Sequence, residues 1–190
     1  MLFRPTANNP SDYKGFLNGP DAAQTSITVA DYSLTGTIFR ENTGDLDWSY
    51  ISSWEVNFFL AEAAERGLIS ASAQNLYEIA VQQAFDYWMV PMPSNYLSSG
   101  NAAYGNVDAL EQIATQKWMA NCINGYESWI EYRRTGYPKL KTVAASLNNN
   151  LIPVRMPYPT DEAALNPNYQ EAAANTNGNS INAPTWWDVN

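Results

Sequence analysis

Apolar residues recur at helical spacing in three stretches of the chain. In the first, Val56, Phe59, Leu60 and Ala63 follow the i, i+3, i+4, i+7 pattern of an amphipathic helix. Ser52 and Glu55 precede it as a capping box, and Arg66 and Gly67 close it with a cation and a left-handed cap. A second helix starts near Ser70 or Ser72 and runs to about Tyr87. Leu76, Ile79, Ala80, Gln83 and Ala84 form its stripe, widened by Tyr77, Val81 and Trp88. The short link predicts an antiparallel hairpin over 52–88, in which Ala61, Ala63, Ala64, Ala80 and Ala84 allow close approach. This is the shape of one tetratricopeptide-type unit, which alone buries only part of its apolar surface.

Pro91-Met92-Pro93 stops the second helix. A third, over about 107–122, carries Leu110, Ile113, Ala114, Trp118 and Cys122 on one side. Asn124-Gly125 breaks it, and a short fourth helix over about 126–134 ends before Thr135-Gly136-Tyr137-Pro138. The flanks are different in kind. Residues 1–47 are dense in Pro, Gly, Asn, Asp and Ser and read as loop, with extended pieces at 26–29 and 36–39. Residues 135–190 read as an irregular tail with an extended run at 151–156. The expected fold is mainly α, with helical segments at 52–88 and 107–134 in one region of 190 residues.

That length is enough to bury a core without metals or disulfides. Hydrophobic residues at 45% and charged residues at 15% place the chain among globular proteins. Aromatics reach 13%, and there are 21 Asn, a composition common in extracytoplasmic binding proteins. There is no His, so Ser-His-Asp and Cys-His catalysis and His-ligated metals are excluded. The lone Cys122 forms no internal disulfide. A net charge of −9 argues against nucleic acid, whose binders present basic patches. No run of 18 apolar residues exists, and Met1-Leu2-Phe3-Arg4-Pro5 lacks the pattern of a signal peptide.

Several dispersed motifs resemble one family. Ile113-Ala114-Thr115-Gln116-Lys117-Trp118, Asn124-Gly125-Tyr126-Glu127-Ser128-Trp129 and Tyr132-Arg133-Arg134-Thr135-Gly136-Tyr137-Pro138 look like the SusD/RagB family of outer-membrane lipoproteins. Phe59-Leu60-Ala61-Glu62-Ala63-Ala64, the proline-rich 152–159 segment with Glu162 and Asn166, and the terminal Trp186-Trp187-Asp188 agree with it. Phe3-Arg4-Pro5-Thr6 and residues 13–19 resemble its subgroup of shorter members. Family members are typically more than twice as long, so the resemblance covers only their C-terminal portion. On this resemblance, the absent signal and lipoprotein cysteine are expected to follow from a missing N-terminal half, with the lipid anchor expected outside this chain.

The resemblance implies a non-enzymatic surface protein that captures oligosaccharides, and sometimes peptides. It implies delivery to a SusC-like TonB-dependent transporter in the outer membrane, with no cofactor. A scaffold that docks only on protein is the alternative. A glycoside hydrolase would need two arranged carboxylates, and Glu62/Glu65 and Asp161/Glu162 are merely neighbours in sequence.

Sugar recognition needs aromatic faces for C–H groups and amides for hydroxyls. Tyr13, Phe16, Trp48, Tyr96 and Tyr104 lie in or beside polar loops, with Asn18, Asn42, Asn95 and Asn101 as amide partners. Asp45 and Asp47, with Glu41, Asn42 and Gly44, could supply oxygens to calcium, though their spacing matches no EF-hand. Glu131 and Arg134, three apart on a helix, read as a structural ion pair. Trp118 and Trp129 read as core, and Trp186-Trp187 as a tucked anchor for the tail.

Overall fold

A computed structural model describes residues 2–16, 19, 28–41, 49–141, 143 and 145–188. The chain forms two compact units. One comprises Met1–Phe16 with Ser26–Lys139, and the other Leu17–Thr25 with Leu140–Asn190.

The first unit is mainly helical. A two-residue pairing of β1 (Phe3–Arg4) with β2 (Leu34–Thr35) is antiparallel, Phe3 opposite Thr35. A single turn, α1 (Thr37–Arg40), follows where the sequence suggested an extended piece at 36–39. Phe39 sets its ring edge-on to Trp88 at 6.0 Å, and that packing favours the turn. Then come α2 (Ser53–Glu65) and α3 (Ala73–Tyr87), joined by a seven-residue link. Their antiparallel packing brings Trp54 near the start of α2 to Tyr87 at the end of α3, centroids 6.4 Å apart. An Asn57–Gln83 hydrogen bond of 2.9 Å adds a polar tie. Two further helices, α4 (Ala109–Ala120) and α5 (Gly125–Thr135), complete the unit.

The helix boundaries follow local chemistry. Ser72 caps α3 by accepting from the Asn75 amide, and Asp108 caps α4 by accepting from the Glu111 amide. Asn124, expected only to break the third helix, caps α5 by accepting from the Glu127 amide. The α2 box is half-formed. The Glu55 carboxylate accepts from the Ser52 amide, but the Ser52 hydroxyl pairs with Ser49 at 2.9 Å instead of with the helix. At the other end Gly67 adopts φ of 70°, with Leu68 N–H donating to Ala63 O and Gly67 N–H to Ala64 O. This pair of bonds satisfies two terminal carbonyls of the helix.

The core draws Trp54, Phe58 and Ala61 from α2, Tyr77, Ala80, Val81 and Ala84 from α3, and Ile113 and Ala120 from α4. The stripe expected on α2 is therefore corrected. Val56, Phe59 and Leu60 are 38–43% exposed, and Ile79 on α3 is exposed too. Helix α2 is apolar on more than one face, and the larger rings of Trp54 and Phe58 take the interior, edge-on at 6.4 Å. Cys122 lies beyond the end of α4 and is exposed, not on its apolar side. Trp118 and Trp129 are half-buried.

The second unit holds two short helices not foreseen in the tail, α6 (Glu162–Leu165) and α7 (Tyr169–Ala174). Residues 151–156 form no strand and bend at Arg155; the Val154 and Arg155 amides both donate to Ile181 O. Arg155 is buried and donates to Asn179 and to the Ser180 carbonyl. Asn148 and Asn182 exchange amide bonds of 2.8 and 2.7 Å. Trp186 is 92% exposed, so it does not tuck in as expected; Trp187 is half-buried. Among the described residues no helix is long and apolar enough to cross a membrane.

Candidate functional site

Trp48, Asn18, Asn42, Asp45 and Asp47 lie outside the described residues. Tyr13 and Phe16 sit in the N-terminal segment and are exposed, with Phe16 edge-on to Tyr32 at 5.0 Å. Asn95, Tyr96, Asn101 and Tyr104 all fall in the connection between α3 and α4. Its backbone is pinned from beneath. Tyr77 OH donates to Ala102 O, and buried Gln112 donates to the carbonyls of Asn101 and Ala103 while accepting from Gly105 N–H. Tyr96 donates to Gln116 and packs edge-on to Phe85 at 5.0 Å. Tyr104 donates to Glu65 at 2.6 Å with its ring on Tyr77. The Asn95 carbonyl accepts from the hydroxyls of Ser98 and Ser99.

A charged network lies on one side of the same helices. Glu131 is buried and accepts from Lys117 and Arg134, and Arg134 reaches across to Glu62 with two bonds. The expected Glu131–Arg134 pair is thus present. Burial pushes the Glu62 carboxyl up, but Arg134 and then Arg66 more than offset this and hold it below the usual carboxylate range. A carboxylate held ionised in this way is a poor general acid. Lys117 Nζ also lies 3.6 Å from the centroid of the Phe59 ring.

A cleft of about 430 Å³ lies at the other end of the helices. The N-terminal turn of α2 gives it Ser52, Trp54 and Glu55, and the start of α5 gives Asn124, Gly125 and Tyr126. The C-terminal ends of α3 and α4 supply Trp88 and Asn121. Tyr50, 96% exposed, and Tyr126, 66% exposed, stand at its edge.

Three polar groups in the cleft wall are almost wholly buried. Trp54 is 5% exposed, Asn121 4% and Glu55 9%. Trp54 Nε1 and Asn121 Nδ2 have no hydrogen-bond partner among the described residues. Leaving a buried donor unpaired costs about 1–3 kcal/mol, so such groups call for a physical reason. By contrast, Trp88 Nε1 in the same wall is satisfied by Ala120 O at 2.8 Å. Burial raises the Glu55 carboxyl above its ordinary value; Lys117 and the Ser52 amide oppose this, while Glu127 and Glu131 add to it. The cleft thus combines a largely buried carboxyl with exposed ring faces at its edge, surfaces of the kind that line sites for small polar molecules. Trp54 and Glu55 were visible in the sequence only as parts of a cap. Asn121 carried no signal, because its role depends on α4 ending one residue before it.

A helical hairpin followed by a second helix pair, with a polar, aromatic-edged cleft, defines a mainly helical protein of tetratricopeptide-like build. Residues 3–159 match the sequence profile of the SusD-like_2 family, described as starch-binding and associating with the outer membrane. The chain belongs to this SusD-like family. Among solved structures, it is similar to a chitin-binding protein, with 29% identity and a TM-score of 0.81 over 100% of this chain and 46% of the other. A SusD homolog from Bacteroides vulgatus gives 27% identity and a TM-score of 0.82 over 99% of this chain and 45% of that one. A chitin-binding SusD homolog from Flavobacterium johnsoniae gives 26% identity and a TM-score of 0.78, covering 100% and 46%. The chain therefore spans less than half the length of these proteins. No protein of curated function matches the sequence.

Proposed function

We propose that this chain is part of a non-catalytic surface protein that binds oligosaccharides at the outer membrane and delivers them to a SusC-like TonB-dependent transporter. The observation that carries this reading is the family match over residues 3–159. The two chitin-binding neighbours, superposing over the whole chain, make N-acetylglucosamine oligomers the first ligands to test. Capture and release need no bond to break. Shape, stacking and hydrogen bonding suffice, and aromatic faces beside amides supply them.

Loop residues Tyr13, Phe16, Tyr96, Tyr104, Asn95 and Asn101, together with Trp48, Asn18 and Asn42, are proposed as further ligand contacts. Tyr96 and Tyr104 would act chiefly through their ring faces, since both hydroxyls already donate within the protein.

A thermal-shift screen against neutral oligosaccharides and short peptides tests this reading. Ligand at 100 times its Kd should stabilise the protein by about 2.7 kcal/mol. No shift with any ligand, together with co-purification with the transporter, would select the protein-docking scaffold instead.

A further inference from the structure

We infer that the pocket between the C-terminal ends of α2 and α5 and the start of α4 is a subsite for one neutral sugar ring, held through its hydroxyls by Arg66 and Asp108. The inference rests on the oligosaccharide reading above and adds a place of binding and the groups that make it.

The pocket has a volume of about 300 Å³. Small-molecule sites run from about 300 to 1,000 Å³, so this one suits a single ring rather than a chain. Glu62 and Arg66 line it from α2, Asp108 and Leu110 from the start of α4, and Thr135 and Tyr137 from the end of α5 and just beyond.

The two groups that carry the inference are open to solvent. The Arg66 side chain is 47% exposed, and it bonds Glu62 through Nε at 2.9 Å. Its two terminal nitrogens are the donors offered to the ligand. Asp108 is exposed as well. One of its oxygens caps α4 by accepting from the Glu111 amide at 2.9 Å, and the other is the acceptor offered. A guanidinium fork can donate to the oxygens of two adjacent hydroxyls, and a carboxylate oxygen can accept from another, each bond strengthened by charge. Each side chain takes its own hydroxyls, so no ligand atom has to be shared. Leu110 and the Tyr137 ring give the C–H groups of the sugar an apolar surface.

Charge sets the class of ligand. Arg134 closes on Glu62 with two bonds, so that carboxylate is already neutralised. Of the residues lining the pocket, Arg66 and Asp108 then remain as one cation and one anion. An anionic sugar would be drawn to Arg66 and repelled by Asp108, and an ammonium-bearing sugar would meet the reverse. A neutral sugar satisfies both, because a hydroxyl donates and accepts.

Calorimetric titration of wild type, Arg66→Lys and Asp108→Ser with chitotriose and with maltotriose is the test. Arg66→Lys keeps the charge beside Glu62 and removes the fork. Asp108→Ser keeps a good cap for α4 and removes the second oxygen. Both variants should melt with wild type. Each should weaken the trimer that wild type binds by about 10-fold, as expected for one charge-assisted hydrogen bond. Should either variant fold poorly, the backbone amide resonance of Glu111 in wild type gives the answer by shifting as the trimer is added. Full affinity in both variants, or an unmoved Glu111 resonance at saturation, would overturn the subsite and leave oligosaccharide binding intact. Wild type that binds neither trimer would overturn the functional reading itself, and the subsite with it.

Discussion

Arg134 on α5 closes a two-point ion pair with Glu62 on α2, its Nη1 donating to Oε1 at 2.7 Å, although 72 residues separate them. The planar guanidinium matches the carboxylate as a fork, which a lysine ammonium does not. The pair ties the hairpin to the second helix pair at the end away from the cleft. Glu62→Ala removes the fork across the two helices and should cost about 2–4 kcal/mol by urea unfolding. Arg134→Lys should lose a substantial part of that, because the fork is gone while the charge remains. A change under about 0.5 kcal/mol in both would show that the pair is solvated and adds nothing.

Lys117 and Glu131 are a buried pair whose halves are not equivalent. Their side chains are 4% and 3% exposed, joined at 2.8 Å. Glu131 has a second cation, Arg134, whereas among the described residues Lys117 is within ion-pair distance of Glu131 and acts on Glu55 from farther away. Glu131→Ala strands a buried ammonium and should cost about 3–5 kcal/mol. Lys117→Met leaves Glu131 paired and keeps an apolar stem against Phe59, so it should cost far less. Thermal melts of the two variants check the order, and an equal loss would contradict it.

Two carboxylates on α2 should give opposite pH signatures. Glu62 is held below its ordinary value, so its contribution is present above the unfolded value and lost as pH falls through the lower folded one. Glu55 is raised, so its contribution is present below the unfolded value and lost as pH rises through the folded one. Glu55→Gln should therefore melt at or above wild type at pH 7, with the difference shrinking towards pH 4. Glu62→Gln should be less stable than wild type at pH 7 and converge with it in acid. Matching pH profiles for the two variants would refute the assignment.

Gly67 is held at φ of 70° with open space where a Cβ would go. Gly67→Ala should then cost only the left-handed backbone penalty, about 1–2 kcal/mol, with no steric part. Chemical denaturation reads this directly, and a larger loss would mean that the helix end itself unravels.

Much of the scaffold was legible in local sequence. Gly67 after Arg66 and Ser72 before α3 each act within a few residues of themselves. The buried faces were less legible. On α2, Val56, Phe59 and Leu60 have as good a helical period as Trp54, Phe58 and Ala61, and only the partners from α3 and α4 decide between them. The cleft was not legible at all as a unit. Trp54 and Asn121 are 67 positions apart and line one cleft only through the packing of four helix ends. Trp186 shows the converse, since a large apolar residue at a chain end looks like an anchor whether or not anything receives it.

The central claim is that the protein holds an oligosaccharide without cutting it. Equilibrium titration with chitotriose, followed by mass spectrometry of the recovered sugar, tests it most directly. Saturable binding and a trimer recovered intact after prolonged incubation are expected. Failure to bind at millimolar sugar, or recovery of shorter products, would contradict it.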